Sequence, residues 1–327
     1  MSSPKELSDI FGRFFIVAGY LPALALLTLF RWLILPGLPP EFQSQISSMN
    51  DTGYFQEISV YILIPVFIAA ILVGLTANTV RLFSGRPLFR PGDEQSDKYK
   101  KFNDLVNTME TGMKNLLTDP FAAASLQMRI QQMRKTTGGA IFFDTSELHS
   151  TRLGNVFAAL NEYPDRRYGM NAGTIFPRLK SVLPKEFDER IKSQNTSFMF
   201  MLNLAFCGIV FALAWILYGV GNLFGWGQTN PFSWIVVFVC VCTGAYLFYR
   251  VSVTEASTLV ETMTTAFDLY RGRLLKELGF DLPGNIIEEK KLWGTVTAFL
   301  LLGNERFYPS KVPSASLRSS SKTKPKK

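Results

Sequence analysis

Two long apolar runs in the chain stand back to back. Phe198 to Tyr218 carries no charged residue, and neither does Phe232 to Tyr249, which Arg250 ends. Between them, Gly219 to Pro231 supplies turn formers: Gly219, Gly221, Asn222, Gly225, Gly227 and Asn230. An α-helix rises ~1.5 Å per residue, so about 20 apolar residues cross a hydrocarbon core of about 30 Å. The pattern predicts a hairpin of two membrane-spanning helices, at about 198–218 and 232–249. Two such runs in succession exceed what a soluble core requires.

A second hairpin is expected near the N-terminus. Phe14 to Phe30 is apolar, Arg31 and Trp32 follow, and Pro36, Pro39 and Pro40 close the segment. The run is long for a signal peptide and lacks a small-x-small cleavage site, so it reads as a retained span at about 14–32. Pro22 is expected to kink this helix or to sit in its first turns. Arg31 and Trp32 suit the interface, a snorkelling cation beside an amphipathic ring. Ile58 to Val80 forms the next span, with Pro65 inside it and Arg81, Arg86 and Arg90 directly after it.

Charge then sets the topology. The loops Pro36–Glu57 and Gly219–Pro231 contain no Lys or Arg, and the first carries Glu41, Asp51 and Glu57. Arg31 is the one Lys or Arg outside the segments assigned to the cytoplasm. The positive-inside rule therefore places both termini in the cytoplasm, with four spans. The formal net charge of +8 follows from this bias. It points to an anionic inner leaflet as partner rather than to nucleic acid. A hydrophobic share of 47% and a mean hydropathy of +0.14 fit spans combined with a sizeable polar part. The three cysteines, Cys207, Cys240 and Cys242, all lie inside expected spans and read as packing residues rather than as a disulfide framework or metal ligands.

The expected fold class is all-α: a polytopic membrane protein with four transmembrane helices and a cytoplasmic helical domain. Residues 1–83 form the N-terminal hairpin and 84–195 a cytoplasmic helical insert. Residues 196–250 form the C-terminal hairpin, 251–308 further cytoplasmic helices, and 309–327 a disordered basic tail rich in Ser, Pro and Lys. Within the insert, Tyr99, Phe102, Val106, Met109, Met113 and Leu116 repeat in steps of three and four, a heptad seam on a helix over 97–117. Phe121 to Lys135 reads as another helix. After the last span, Val253, Ala256, Val260, Met263, Phe267, Tyr270, Leu274 and Leu278 make a second seam that runs straight out of the membrane. Gly279 is placed to cap it. Asn285 begins a further helix with Glu288 at the capping-box position, and Leu292, Trp293, Val296, Phe299 and Leu300 fall on roughly one face. The two seams are expected to pair, as a coiled coil within one chain or between copies.

Candidate chemistry is sparse. Thr151 to Pro184 interleaves charged and aromatic residues with Gly and Pro. Its Arg152, Arg166, Arg167 and Arg178 match an anionic headgroup or a partner contact, because guanidinium forks fit phosphate oxygens. The competing reading is a junction in which Glu162 and Asp165 pair with these arginines while Tyr163 and Tyr168 pack. His149 is the sole histidine and lies near Asp144, Ser146 and Ser150, without a nucleophile-elbow pattern. No phosphate-loop or dinucleotide fingerprint is present. No catalytic residue, cofactor site or metal site is assigned. The spans hold no mid-membrane ionisable group, which transporters generally use. Instead small residues recur four apart: Gly19 and Ala23, Ala70 and Gly74, Gly208 and Ala212, Cys240 and Gly244.

Two stretches carry a resemblance. Leu153-Gly154-Asn155, Tyr163-Pro164, Arg167-Tyr168-Gly169 and Pro177-Arg178-Leu179 form the first. Phe267-Asp268-Leu269, Arg271, Leu274-Leu275, Pro283, Glu288-Glu289 and Leu292-Trp293 form the second. Together they resemble a family of bacterial four-helix integral membrane proteins of unassigned function, with departures at Phe176, where a Trp is expected, and at Asn161. The resemblance implies a multi-pass protein of the bacterial inner membrane and no catalytic residues. The leading expectation is a membrane protein that anchors a cytoplasmic interaction or signalling module, working with a membrane-protein partner or as a homo-oligomer. The alternative is an oligomeric channel or pore-forming effector. A lipid-acting enzyme that uses the arginines as a headgroup site is the third.

Overall fold

The structure, a computed structural model of the chain, describes residues 12–38, 62–85, 151–224 and 230–303, together with Asp104, Met128 and His149. Among these residues every regular element is helical. Three helices are long and apolar enough to cross a membrane: α1 (Gly12–Gly37), α6 (Lys185–Leu223) and α7 (Pro231–Glu277). The seam at 97–117, the helix at 121–135, most of the loop 36–57 and the tail 309–327 lie outside the described residues, apart from Asp104 and Met128.

The second expected span departs from the sequence reading. It consists of two helices, α2 (Ile64–Gly74) and α3 (Thr76–Phe83), bent by 60° at Leu75, and makes a fourth crossing if the bent pair counts as one span. The bend is not at Pro65, which is the second residue of α2. It falls at Leu75, whose ψ of 0° leaves the helical range directly after Gly74. The hydroxyls of Thr76 and Thr79 bond back to the carbonyls of Leu72 and Leu75 at 3.3 and 3.1 Å, a competition that bends helices.

Pro22 lies inside α1 rather than in its first turns, with a compensation the sequence does not announce. It stands at the start of an α-helical stretch, directly after a π-helical turn over Phe15–Tyr20. Pro22 has no N–H to give the carbonyl of Ala18, four residues back. The buried Asn203 of α6 donates its Nδ2 to that oxygen at 2.6 Å and so ties the two helices together. Inside a bilayer an orphaned carbonyl is costly, which gives Asn203 its place in an otherwise apolar run.

The chain divides into two compact units. The described residues of the first fall within Met1–Ala159 and Lys185–Met263. Small side chains let its helices meet: Ala23 of α1, Ala69 and Leu72 of α2 and Cys207 of α6 form one buried cluster. A second cluster joins Ile34 to Phe211, Trp215 and Tyr218, with Trp234 and Phe238 of α7 against it. There the indole nitrogens of Trp215 and Trp234 each donate to the other residue's carbonyl, at 3.0 and 3.1 Å, a reciprocal lock across the hairpin. Of the four small-residue pairs, Gly19/Ala23 and Gly208/Ala212 sit at helix contacts. A Cβ at Gly208 would stand 2.9 Å from that of Ala245. Ala70, Gly74, Cys240 and Gly244 meet no neighbouring helix closely; Ala69 and Leu72 take that role on α2. A uniformly apolar helix carries no polar face to mark its outer side, so spacing alone could not choose between these positions.

The described residues of the second unit fall within Leu160–Pro184 and Thr264–Lys327. They comprise the last turns of α4 (Arg152–Tyr168), α5 (Ala172–Val182), the end of α7, and α8 (Ile286–Leu302). The second seam is the buried side of α7: Val253, Ala256, Val260, Phe267 and Leu274 are buried. Phe267 packs on Phe176 with ring centroids 5.9 Å apart. Pairing of this seam with the one at 97–117 lies outside the described residues. The helix ends as its sequence predicts, with Gly279 at a φ of +84° and the Phe280 N–H bonded to the Leu275 carbonyl. Asn285 caps α8, its side chain accepting from the Ile287 N–H at 2.9 Å.

Candidate functional site

The polar residues of the second unit converge on Asp268. This carboxylate lies one position past Phe267, so it leaves the apolar seam of α7 and faces α4. Tyr163 donates its hydroxyl to Oδ2 and Tyr168 donates to Oδ1, both at 2.7 Å. Arg167, one turn after Tyr163, donates to the Tyr163 hydroxyl at 2.7 Å. Arg271, one turn after Asp268, lays its guanidinium over the Tyr168 ring, 4.4 Å from the centroid. Its Nη1 donates to the Asp268 carbonyl, and its Nε donates to Glu289 of α8 at 2.7 Å. Glu289 is only 4% exposed, while the Arg271 side chain is 23% exposed, so the carboxylate is the buried member of the pair.

The turn between α4 and α5 is built to fit this arrangement. Gly169 takes a φ of +73°, and its N–H closes α4 onto the Asp165 carbonyl at 2.7 Å. Asn171 then caps α5, its Oδ1 accepting from the N–H and the hydroxyl of Thr174, both at 3.0 Å. Lys290 of α8 reaches the Arg166 carbonyl at 2.9 Å.

These contacts shift the tyrosines. Burial, reinforced by the hydrogen bond to Asp268, raises the Tyr163 hydroxyl above its ordinary value of 10.0, and the same causes in the same order raise Tyr168 well above it. Both favour the folded state in their protonated form. Their contribution is therefore complete below pH about 10 and is lost as the pH climbs through the raised values. Alkaline titration of the purified protein is expected to show phenolate absorbance from these two residues only as the second unit unfolds. In the Tyr163→Phe/Tyr168→Phe variant that coupled step disappears. Phenolate formation at the ordinary value in a still-folded protein would contradict the account.

The structure separates the four arginines singled out by sequence. Arg166 and Arg167 are both exposed in the last turn of α4, and Lys290 of α8 bonds the Arg166 carbonyl. Arg166 pairs with Glu162 at 3.6 Å, as the junction reading expects. Arg178 turns its Nη1 onto the Thr174 carbonyl of its own helix, at 2.6 Å. Arg152 belongs to the first unit, where its charge acts on Tyr249. The backbone N–H of His149 donates to the Asn155 side chain at 2.7 Å, while Asp144, Ser146 and Ser150 lie outside the described residues. Among the described residues, no group of His, Cys, Asp and Glu side chains is placed to hold a metal ion.

Asp268, Arg271 and Glu289 received no role from periodicity. The signal was present in Glu289, four residues before the buried Trp293 on the same stripe of α8. A charge on an apolar face calls for a buried partner. Chemically the network is closed. Both oxygens of Asp268 accept from tyrosines, and Glu289 is held by Arg271. Such carboxylates orient helices. Comparison with known proteins finds no family model, no curated protein and no solved structure that matches this chain.

Proposed function

We propose that this is an integral membrane protein, of the bacterial inner membrane with both termini in the cytoplasm, that anchors a helical interaction or signalling module. The observation that carries the reading is the closed network of the second unit. Tyr163, Tyr168, Asp268, Arg271 and Glu289 spend their hydrogen bonds on one another. What the unit offers outward is a basic edge, Arg166, Arg167 and Lys290, together with exposed apolar side chains at Leu269, Ile286 and Ile287. That combination suits docking of a membrane-protein partner or of a second copy.

A photoreactive residue placed at Lys291 or Ile287 in the full chain tests this. Discrete adducts in cell membranes are expected, reduced by charge reversal at Arg166, whose pair with Glu162 is an exposed one, with the melting temperature of the purified protein changed little. Adducts only within the spans, accompanied by ion conductance of reconstituted liposomes, would overturn it in favour of the oligomeric channel.

A further inference from the structure

An open apolar groove of about 550 Å3 runs along the first unit between α3, α6 and α7. Its walls include Leu82 of α3, Ala212 and Leu213 of α6, and Cys242 and Tyr246 of α7. The volume falls in the range of pockets that hold small molecules. The groove exists because α6 and α7 touch closely at Gly208 and Ala245, while the small side chains beside that contact, Ala212 and Cys242, leave space unfilled. At the end away from Tyr249 the lining includes Phe238, stacked at 5.7 Å on Trp234, which the reciprocal bond to Trp215 holds in place.

Two features decide what fills it. The first is length. From Phe238 to Tyr249 the wall of α7 rises roughly 16 Å, about half of a hydrocarbon core, which is one leaflet. The second is charge at the mouth. Gly85, Thr151 and Tyr249 line that end. Arg81 lies one turn before Gly85, Arg152 follows Thr151, and Arg250 lies one turn after Tyr246; all three are exposed. The Tyr249 hydroxyl is held by Thr151 and the Leu153 backbone, within the field of Arg152. An apolar slot one leaflet deep, with exposed arginines close in sequence to the residues at its mouth, complements one acyl chain below and one phosphate above.

We infer that this groove binds an anionic phospholipid of the leaflet on the arginine-bearing side, with an acyl chain between α6 and α7 and the headgroup phosphate at Arg81, Arg152 and Arg250. The inference rests on the membrane reading of the spans.

The test uses the full chain in phosphatidylcholine vesicles containing trace phosphatidylglycerol or trace phosphatidylcholine with a photoreactive acyl chain, and maps labelled residues by mass spectrometry. Labelling of groove residues by the phosphatidylglycerol probe is expected to be saturable by unlabelled phosphatidylglycerol and about tenfold stronger than by the phosphatidylcholine probe, a preference of about 1.4 kcal/mol. The Arg81→Gln/Arg152→Gln/Arg250→Gln variant should bring the two probes to parity. Leu213→Trp, at a position already 58% exposed and therefore tolerant of bulk, should fill the groove and abolish its labelling by both. Val239, 55% exposed, reports on the bilayer at large and should be labelled equally by both probes in every variant. Equal labelling of the groove by the two probes in the unaltered chain would overturn the inference. So would a Cys242-to-Cys242 cross-link between copies that excludes lipid. Loss of labelling at Val239 as well would overturn the membrane reading itself.

Discussion

Arg271→Ala is expected to destabilise the second unit by about 3–5 kcal/mol, the cost of leaving one member of a buried ion pair without its partner. Glu289 loses the Nε contact at 2.7 Å in a site where its side chain is 5% exposed. The Asp268 carbonyl loses a donor, and the Tyr168 ring loses the cation stacked on it. Lysine is a poor substitute, because a single ammonium cannot serve Glu289 and the Asp268 carbonyl from a planar fork while lying flat on a ring. The double variant Arg271→Met/Glu289→Leu is expected to recover most of the loss, since an apolar pair of similar bulk removes both charges. Denaturant melts of the detergent-solubilised protein, read by limited proteolysis of the second unit, measure both. A loss below about 1 kcal/mol for Arg271→Ala would mean that Glu289 is solvated or held elsewhere, contrary to the geometry.

Gly169→Ala is expected to cost roughly 2–4 kcal/mol from two separable sources. The first is conformational, because the φ of +73° is unfavourable for a residue with a Cβ. The second is steric, because that Cβ would stand 2.7 Å from the Lys290 carbonyl and 3.0 Å from its Cγ. Asparagine tolerates the left-handed conformation but brings the same Cβ, so Gly169→Asn isolates the second source. Both variants should loosen α8 against the turn, seen as faster amide exchange in 286–302. If Gly169→Asn is neutral, the approach of Lys290 is not a constraint and only the conformational part survives.

The membrane character was legible because it rests on length and charge alone. Phe198 to Tyr218 and Phe232 to Tyr249 lie in helices long and apolar enough to cross a membrane. The helix ends at Gly279 and Asn285 were legible for a similar reason, since each is a local bargain between one residue and its own backbone. The bend at Leu75 was not, because hydroxyl back-bonding and a flanking glycine weaken a helix without announcing which turn gives way. Nor was the bond from Asn203 to Ala18, which depends on a proline in another helix. The arginines show the same limit: composition grouped Arg152, Arg166, Arg167 and Arg178 within one stretch, but a helix distributes neighbouring residues around its axis and a turn redirects the chain. The two stretches that carry the resemblance do meet. Tyr163, Arg167 and Tyr168 from the first and Asp268, Arg271 and Glu289 from the second build the network, although nothing in their spacing specified the pairing.

The apolar helices are expected to cross a membrane and to hold the second unit on its cytoplasmic side. Single cysteines at Ser3, Asn50, Arg166, Gly225 and Lys291, in a background lacking Cys207, Cys240 and Cys242, test it with a membrane-impermeant maleimide on intact cells. The account predicts labelling at Asn50 and Gly225, and protection at Ser3, Arg166 and Lys291 until the cells are lysed. Labelling of Ser3 with Arg166 protected would show that the bent pair α2 and α3 re-enters rather than crosses. Labelling of Arg166 and Lys291 in intact cells would contradict the account.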